Sequence, residues 1–167
     1  MSFYLAVNGS WIKIVCNKER KTMRYILLSA GIFLFETFIK QKREENTQNK
    51  DYLNGAVAAT TYHNYGAFLN SGDKKPILIK ITSVILTLGL TFLFVLTFTQ
   101  CGRAELRSGL AFLLGGAYSN TYDRIKRGYV VDYLNFPKSP GGLKRIVFNI
   151  SDFCIMIGAC LIVIKQK

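Results

Sequence analysis

Two aspartates carry the chemistry open to this chain. Asp152 stands in Phe148-Asn149-Ile150-Ser151-Asp152, one turn inside the apolar run 148–164. Asp132 stands in Gly128-Tyr129-Val130-Val131-Asp132-Tyr133, just after another apolar run. A carboxylate in lipid is costly, so such residues face a protein interior or a polar cavity and mark function. When two carboxylates come close, the first charge opposes the second ionisation and one group keeps its proton near neutral pH. The ionised partner can then take a proton from water, while the protonated partner polarises a carbonyl and later protonates a leaving amine. Each residue alone has an ordinary structural role. Asn149 would cap a helix with Asp152 at its third position, satisfying free N–H groups and complementing the dipole. Asp132 would be a turn residue at headgroup level. It is the pair, near one membrane face, that points to hydrolysis.

Other chemistries find less support. The only histidine is His63, and the four cysteines, Cys16, Cys101, Cys154 and Cys160, show no CxxC or Cys/His spacing. They read as small apolar residues in helices. No G-x-S-x-G or Walker-type loop is present. No ligand cluster suggests a metal, so neither a metal nor another cofactor is expected.

The elements that position the aspartates follow from composition. Of 167 residues, 50% are hydrophobic and 19% charged, and the charges are clustered between long apolar stretches. That is a membrane pattern. The net charge of +12 would suggest nucleic acid in a soluble protein. Zinc-finger spacing and RNP-type aromatic motifs are missing, however, so nucleic acid is not an expected partner. In a membrane the same excess suits anionic headgroups. Four apolar segments can be drawn, at about 25–39, 76–100, 106–122 and 148–164. The first is short for a span; flanking cations and local thinning would make up the difference. The second opens on Pro76, well placed for a helix start. The third holds Gly109, Gly115, Gly116 and Ala117, small residues that let helices approach closely, and reads as an inner helix.

Placing Lys18, Arg20, Lys21, Arg24, Arg103, Arg107, Lys165 and Lys167 in the cytoplasm obeys the positive-inside rule. It puts both termini inside and both aspartates near the outer face. Beta-branched and aromatic residues around Asn54-Gly55 signal a small strand pair in the connection 41–75. The expected fold is therefore an all-α membrane protein, with four transmembrane helices and a small extracytoplasmic β-like cradle. Residues 1–22 read as a dispensable N-terminal extension, with Met23 as the natural start, and residues 23–167 as a single membrane domain. Gly128 allows a sharp turn that returns Asp132 over the bundle, and the loop 135–145, with Pro137, Pro140, Gly141 and Gly142, reads as a flexible flap.

Asn120-Thr121-Tyr122-Asp123-Arg124, Val130-Val131-Asp132-Tyr133 and Phe148-Asn149-Ile150-Ser151-Asp152 together resemble, in order and spacing, the signature blocks of lipoprotein signal peptidase (signal peptidase II). Glu36-Thr37-Phe38-Ile39-Lys40 looks like the family's Asp-Gln-x-x-Lys, with Glu for Asp and Thr for Gln. Asn64-Tyr65-Gly66-Ala67-Phe68 looks like its Asn-x-Gly block. The resemblance implies a membrane aspartic endopeptidase of the bacterial cell membrane. Its partners would be diacylglyceryl-modified prolipoproteins and membrane lipids, and it would cut on the amino side of the lipobox cysteine. Residue by residue, it assigns catalysis to Asp132 and Asp152. Support or substrate contact falls to Asn64, Gly66, Asn120, Asp123, Arg124, Asn149, Glu36 and Lys40. The rival from another class is a small transporter or proton-relay subunit, which would spread its acids through the bilayer depth. A second is a scaffold in which Asp123 pairs with Arg124 or Lys126.

Overall fold

The computed structural model describes residues 10–66, 75–99 and 103–164, with side chains from residue 22 onward. Residues 1–9, Ala67, Phe68, Gln100, Cys101, Lys165 and Lys167, and the side chains of Cys16, Lys18, Arg20 and Lys21, lie outside that description. The chain is mostly helical with a small antiparallel sheet. Helix α1 spans Ser10–Glu45, α2 Pro76–Thr97, α3 Ala104–Lys126 and α4 Ile150–Ile164.

The first and fourth helices depart most from the expected segments, while α2 ends three residues early and α3 extends a few residues at each end. The first helix does not stop at residue 39. No proline interrupts the polar sequence on either side of its apolar centre, so the helix propagates in both directions. It runs through ten or more residues of the expected extension and carries Lys40 one turn past Glu36. The fourth helix starts at Ile150 rather than Phe148, because Val147 and Phe148 are paired in a strand. The segments Thr22–Glu45 and Pro76–Thr97 are long and apolar enough to cross a membrane, while α4 is a shorter apolar helix of 15 residues. Leu27, Leu34 and Phe35 on α1 and Ile85, Leu88 and Phe92 on α2 are exposed. In water such continuous apolar surface would drive association; against lipid it is the ordinary outer face of a membrane protein.

Helix α3 is central and packs against the other three. Its small residues make this geometry. A Cβ on Gly116 would overlap the Ser151 carbonyl oxygen of α4, and one on Gly115 would lie 2.7 Å from Ile32 of α1. One turn of glycines thus lets α3 touch both neighbours at backbone distance, as the inner-helix expectation requires. Phe94, Leu110, Ala111 and Leu114 form the core between α2 and α3.

The strand pair signalled by Asn54-Gly55 is present and belongs to a larger sheet. Strands β1 (Lys50–Tyr52), β2 (Val57–Asn64), β3 (Val130–Asn135) and β4 (Val147–Phe148) lie in that order, each antiparallel to the next. Asn54 and Gly55 take positive φ in the connecting turn. A register shift between Ala59 and Tyr62 marks a bulge in β2, beyond which Tyr62 faces Asp132 and Asn64 faces Val130. Gly128, with φ of 86°, makes the expected sharp turn from α3 into β3. The loop 135–145 is tied down: Asn135 Nδ2 donates to the Lys144 and Ile146 carbonyls, and Lys138 Nζ to Asn54 O.

Candidate active site

Strand alternation sends Asp132 to one face of β3 and its neighbours Val131 and Tyr133 to the other. Asp132 and Val130 thereby line a cavity of about 640 Å³ between α2, α3, α4 and the sheet, and Asp152 lines it from the first turn of α4. Asp132 is only 2% exposed. It is therefore a buried strand residue and not a turn residue.

The ordinary role of Asn149 and Asp152 holds, and it builds the site. Asp152 N–H donates to Asn149 Oδ1 at 3.0 Å, and Asn149 N–H donates to Asp152 Oδ2 at 3.1 Å. This reciprocal cap fixes the Asp152 rotamer. It also settles which end of the Asn149 amide faces outward: Nδ2 donates to Asp132 Oδ1 at 2.6 Å. One residue thus joins both carboxylates.

Two further amides are locked in the same way. Asn120 Oδ1 accepts from Lys40 Nζ at 2.7 Å, so its Nδ2 donates to Asp152 Oδ1 at 3.0 Å. Asn64 Oδ1 accepts from Gly66 N–H at 3.0 Å, so its Nδ2 donates to Asp132 Oδ2 at 2.9 Å. Asn64 and Asp132 are diagonal neighbours on one sheet face, a pair set by the register beyond the bulge. Every oxygen of the two carboxylates has an N–H donor. Burial pushes Asp132 up to about 7, the Asp152 charge adds to that rise, and the Asn64 and Asn149 donors oppose it.

Behind the aspartates lies a dry ionic cluster. Lys40 Nζ is 3.1 Å from Asp123 Oδ2 and from Ser119 Oγ, and 3.9 Å from Glu36 Oε1. Asp123 also pairs with Arg127 and accepts the Val131 N–H. Pairing of Asp123 with Arg124 or Lys126 is not what forms. Successive helical side chains diverge, which parts Asp123 from Arg124, and residues four apart share a face; Asp123 meets Arg127. Arg124 donates instead to Asn120 O at 3.3 Å and to Gly66 O at 2.9 Å, tying α3 to the block after β2. Glu36 Oε2 accepts from Tyr133 Oη at 2.7 Å, and Oε1 accepts from Ser151 N–H at 3.3 Å. All ten site residues read from the sequence therefore meet here. Ser119, Arg127 and Tyr133 were missed. A polar serine within the small-residue stripe of α3 and a tyrosine beside Asp132 were the available signals.

His63 Nε2 lies 2.8 Å from Glu44 Oε1 and its ring stacks on Tyr129, on the outside of the sheet and away from the cavity. Cys154 is buried in α4 and Cys160 exposed, both as free thiols.

The cavity in front is mostly apolar beyond this polar end, with Ser83 and Arg145 also on its lining. Leu86 and Leu90 of α2, Leu113 and Ala117 of α3, and Ile155 and Met156 of α4 form its walls. Thr87 and Thr121 bond each other across α2 and α3 at 2.9 Å, which spends their polarity within the wall.

Known proteins share this fold and much of this sequence. A solved bacterial membrane enzyme at 2.3 Å resolution superposes with a TM-score of 0.73, at 22% identity over 86% of this chain and 87% of that one, which shows the fold. The lipoprotein signal peptidase of Alteromonas mediterranea is 37% identical over 154 residues, covering 86% of this chain and 80% of the relative. That of Moorella thermoacetica is 30% identical over 144 residues, covering 84% and 90%. The family model described as signal peptidase (SPase) II matches residues 17–166, a stretch that holds every residue of the site above, and the chain belongs to the signal peptidase II family.

Proposed function

We propose that the protein removes the signal peptide from diacylglyceryl-modified prolipoproteins as an aspartic endopeptidase, with Asp132 and Asp152 as the catalytic pair. The observation that carries this is two carboxylates, a buried one from a strand and a half-buried one from a helix start, facing one cavity and joined through Asn149. A shared proton leaves one carboxylate ionised. It takes a proton from water, whose oxygen attacks the scissile carbonyl; the protonated partner stabilises the developing oxyanion. Collapse of the tetrahedral species breaks the C–N bond, and a carboxyl proton passes to the leaving amine of the lipid-modified cysteine. The pair, not either residue, owns the resulting titration.

Helices α1 to α4 all cross the bacterial cell membrane in this reading, with both termini cytoplasmic and the sheet as a cradle at the outer face. Helix α4, about 22 Å long by its 15 residues, fits a locally thinned bilayer. Residues 1–22 are an extension and residues 23–167 carry the peptidase. The apolar cavity walls suit acyl chains entering from the lipid, while the polar end receives the lipobox backbone. The proton-relay alternative is not favoured. It needs acids along the bilayer depth, whereas α2 has none and Glu36, Asp123, Asp132 and Asp152 gather at one end.

The test is cleavage of a diacylglyceryl-modified lipobox peptide by the purified full chain in detergent. Asp132→Asn and Asp152→Asn should each lower kcat at least about 10³-fold, within the range general acid–base catalysis supplies. Near-wild-type turnover in both would end the aspartic reading.

A further inference from the structure

We propose that Glu36 is a positioning residue that sets the spacing of the two aspartates. The proposal rests on the aspartic reading above. Tyr133 follows Asp132 in β3, and Ser151 precedes Asp152 in α4. Glu36 takes one hydrogen bond from each, through its two separate oxygens: Tyr133 Oη at 2.7 Å and Ser151 N–H at 3.3 Å. It thereby holds the neighbour of one aspartate to the neighbour of the other from the side opposite the cavity. Glu36 is 0% exposed, so no water replaces either bond without an opening of the bundle.

The first turn of α4 shows how complete this link is. A helix start leaves its first N–H groups unsatisfied. Here Ile150 N–H donates to Tyr133 Oη at 3.4 Å, Ser151 N–H to Glu36 and Asp152 N–H to Asn149. The turn bearing Asp152 is thus capped in part by the residue after Asp132 and in part by α1. A carboxylate at a helix N-terminus is also favoured by the dipole, and bonds to a charged acceptor are shorter and stronger than neutral ones. Lys40, at 3.9 Å, supplies the cation that a buried carboxylate needs, while the two hydrogen bonds tie Glu36 to the sheet and to α4. Length matters as well. An aspartate here would be about 1.5 Å shorter, and it could not keep both bonds without drawing the sheet or α4 towards α1.

The experiment measures kcat and KM for the lipid-modified peptide with the full chain and with Glu36→Gln, Glu36→Asp, Tyr133→Phe and the Glu36→Gln/Tyr133→Phe double variant. Thermal unfolding is followed on the same samples. Glu36→Gln and Tyr133→Phe should each lower kcat about tenfold, the scale of one charge-assisted bond. KM should stay within about twofold, because the cavity walls are untouched, and Glu36→Asp should fall between these and wild type. The double variant should be no worse than the poorer single, since both remove one link. Wild-type kcat in Tyr133→Phe, losses that multiply in the double variant, or a change confined to KM would each overturn the proposal. If Glu36→Gln does not fold, Tyr133→Phe, which keeps the ring, decides by the same criterion. Failure of the aspartic reading looks different: wild-type protein that does not cleave, or Asp132→Asn that does.

Discussion

The two sides of the aspartate pair are built on opposite principles. Behind it, Glu36, Lys40, Ser119, Asp123 and Asn149 are all 0% exposed, and each is hydrogen-bonded or ion-paired to another element. In front, α2 and α4 present Leu86, Leu90, Ile155 and Met156 to an open cavity, and the Thr87 and Thr121 hydroxyls there are already spent on one another. Buried polar groups are expensive unless fully paired, and fully paired they hold a single arrangement. The back therefore fixes where the carboxylates sit, and the front offers unspecific apolar area to whatever enters. Variants behind the pair should act on stability and kcat; variants in front should act on KM.

The largest effect expected from breaking the back is at Lys40. Its ammonium is the only described group that contacts Asp123, Asn120, Ser119 and Glu36 together. Lys40→Met leaves Asp123 with Arg127 and leaves Glu36 without a cation. Removing one partner of a buried pair costs about 3–5 kcal/mol, read as a fall in the unfolding midpoint in detergent. In the fraction that folds, Asn120 loses the donor that orients its amide, so kcat should drop while KM holds. Unchanged stability would mean that water reaches this cluster.

A smaller effect concerns pH and sharpens the same contrast. With Asp132 pushed up to about 7, the pair loses its shared proton as pH rises through 7. Activity should decline by about tenfold per pH unit beyond that point. The sign of a variant follows. Asn64 donates to the ionised form of Asp132 and so pulls its titration down; in Asn64→Ala the proton is held more firmly, and the alkaline limb of kcat should move to higher pH. Movement to lower pH would show that Asn64 does not serve Asp132 as its geometry implies.

How much of this was legible in the sequence depends on the range of the contact. Asn149 and Asp152 are three residues apart, and their capping box is visible in the string. Asn54-Gly55 likewise announced its turn, and the small residues of α3 announced close packing. The tie from Tyr133 to Glu36 crosses 97 residues and that from Lys40 to Ser119 crosses 79, so only the packed fold brings them together. Asp123 was legible as a supporting residue, but its cation, Arg127, was not named, because several cations lie within one helical turn of it and the string does not choose among them. The first helix was drawn too short because hydropathy marks where a helix meets lipid, not where its hydrogen-bond ladder ends.

The smallest effect lies in front, and it tests the division itself. Leu86 of α2 lines the cavity yet is 61% exposed, and it touches none of the polar cluster. Leu86→Ala removes roughly two to three methylenes from the wall. If an acyl chain lies against it, about 1–2 kcal/mol of apolar contact goes with them. KM for a diacylated lipobox peptide should then rise about five- to thirtyfold, with kcat unchanged. The same peptide without its diacylglyceryl group should show no difference between the two enzymes, because nothing apolar would occupy that wall. The reverse pattern, a lower kcat at fixed KM, would mean that α2 helps to set the aspartates. Their positions would then depend on the open face as much as on the dry one.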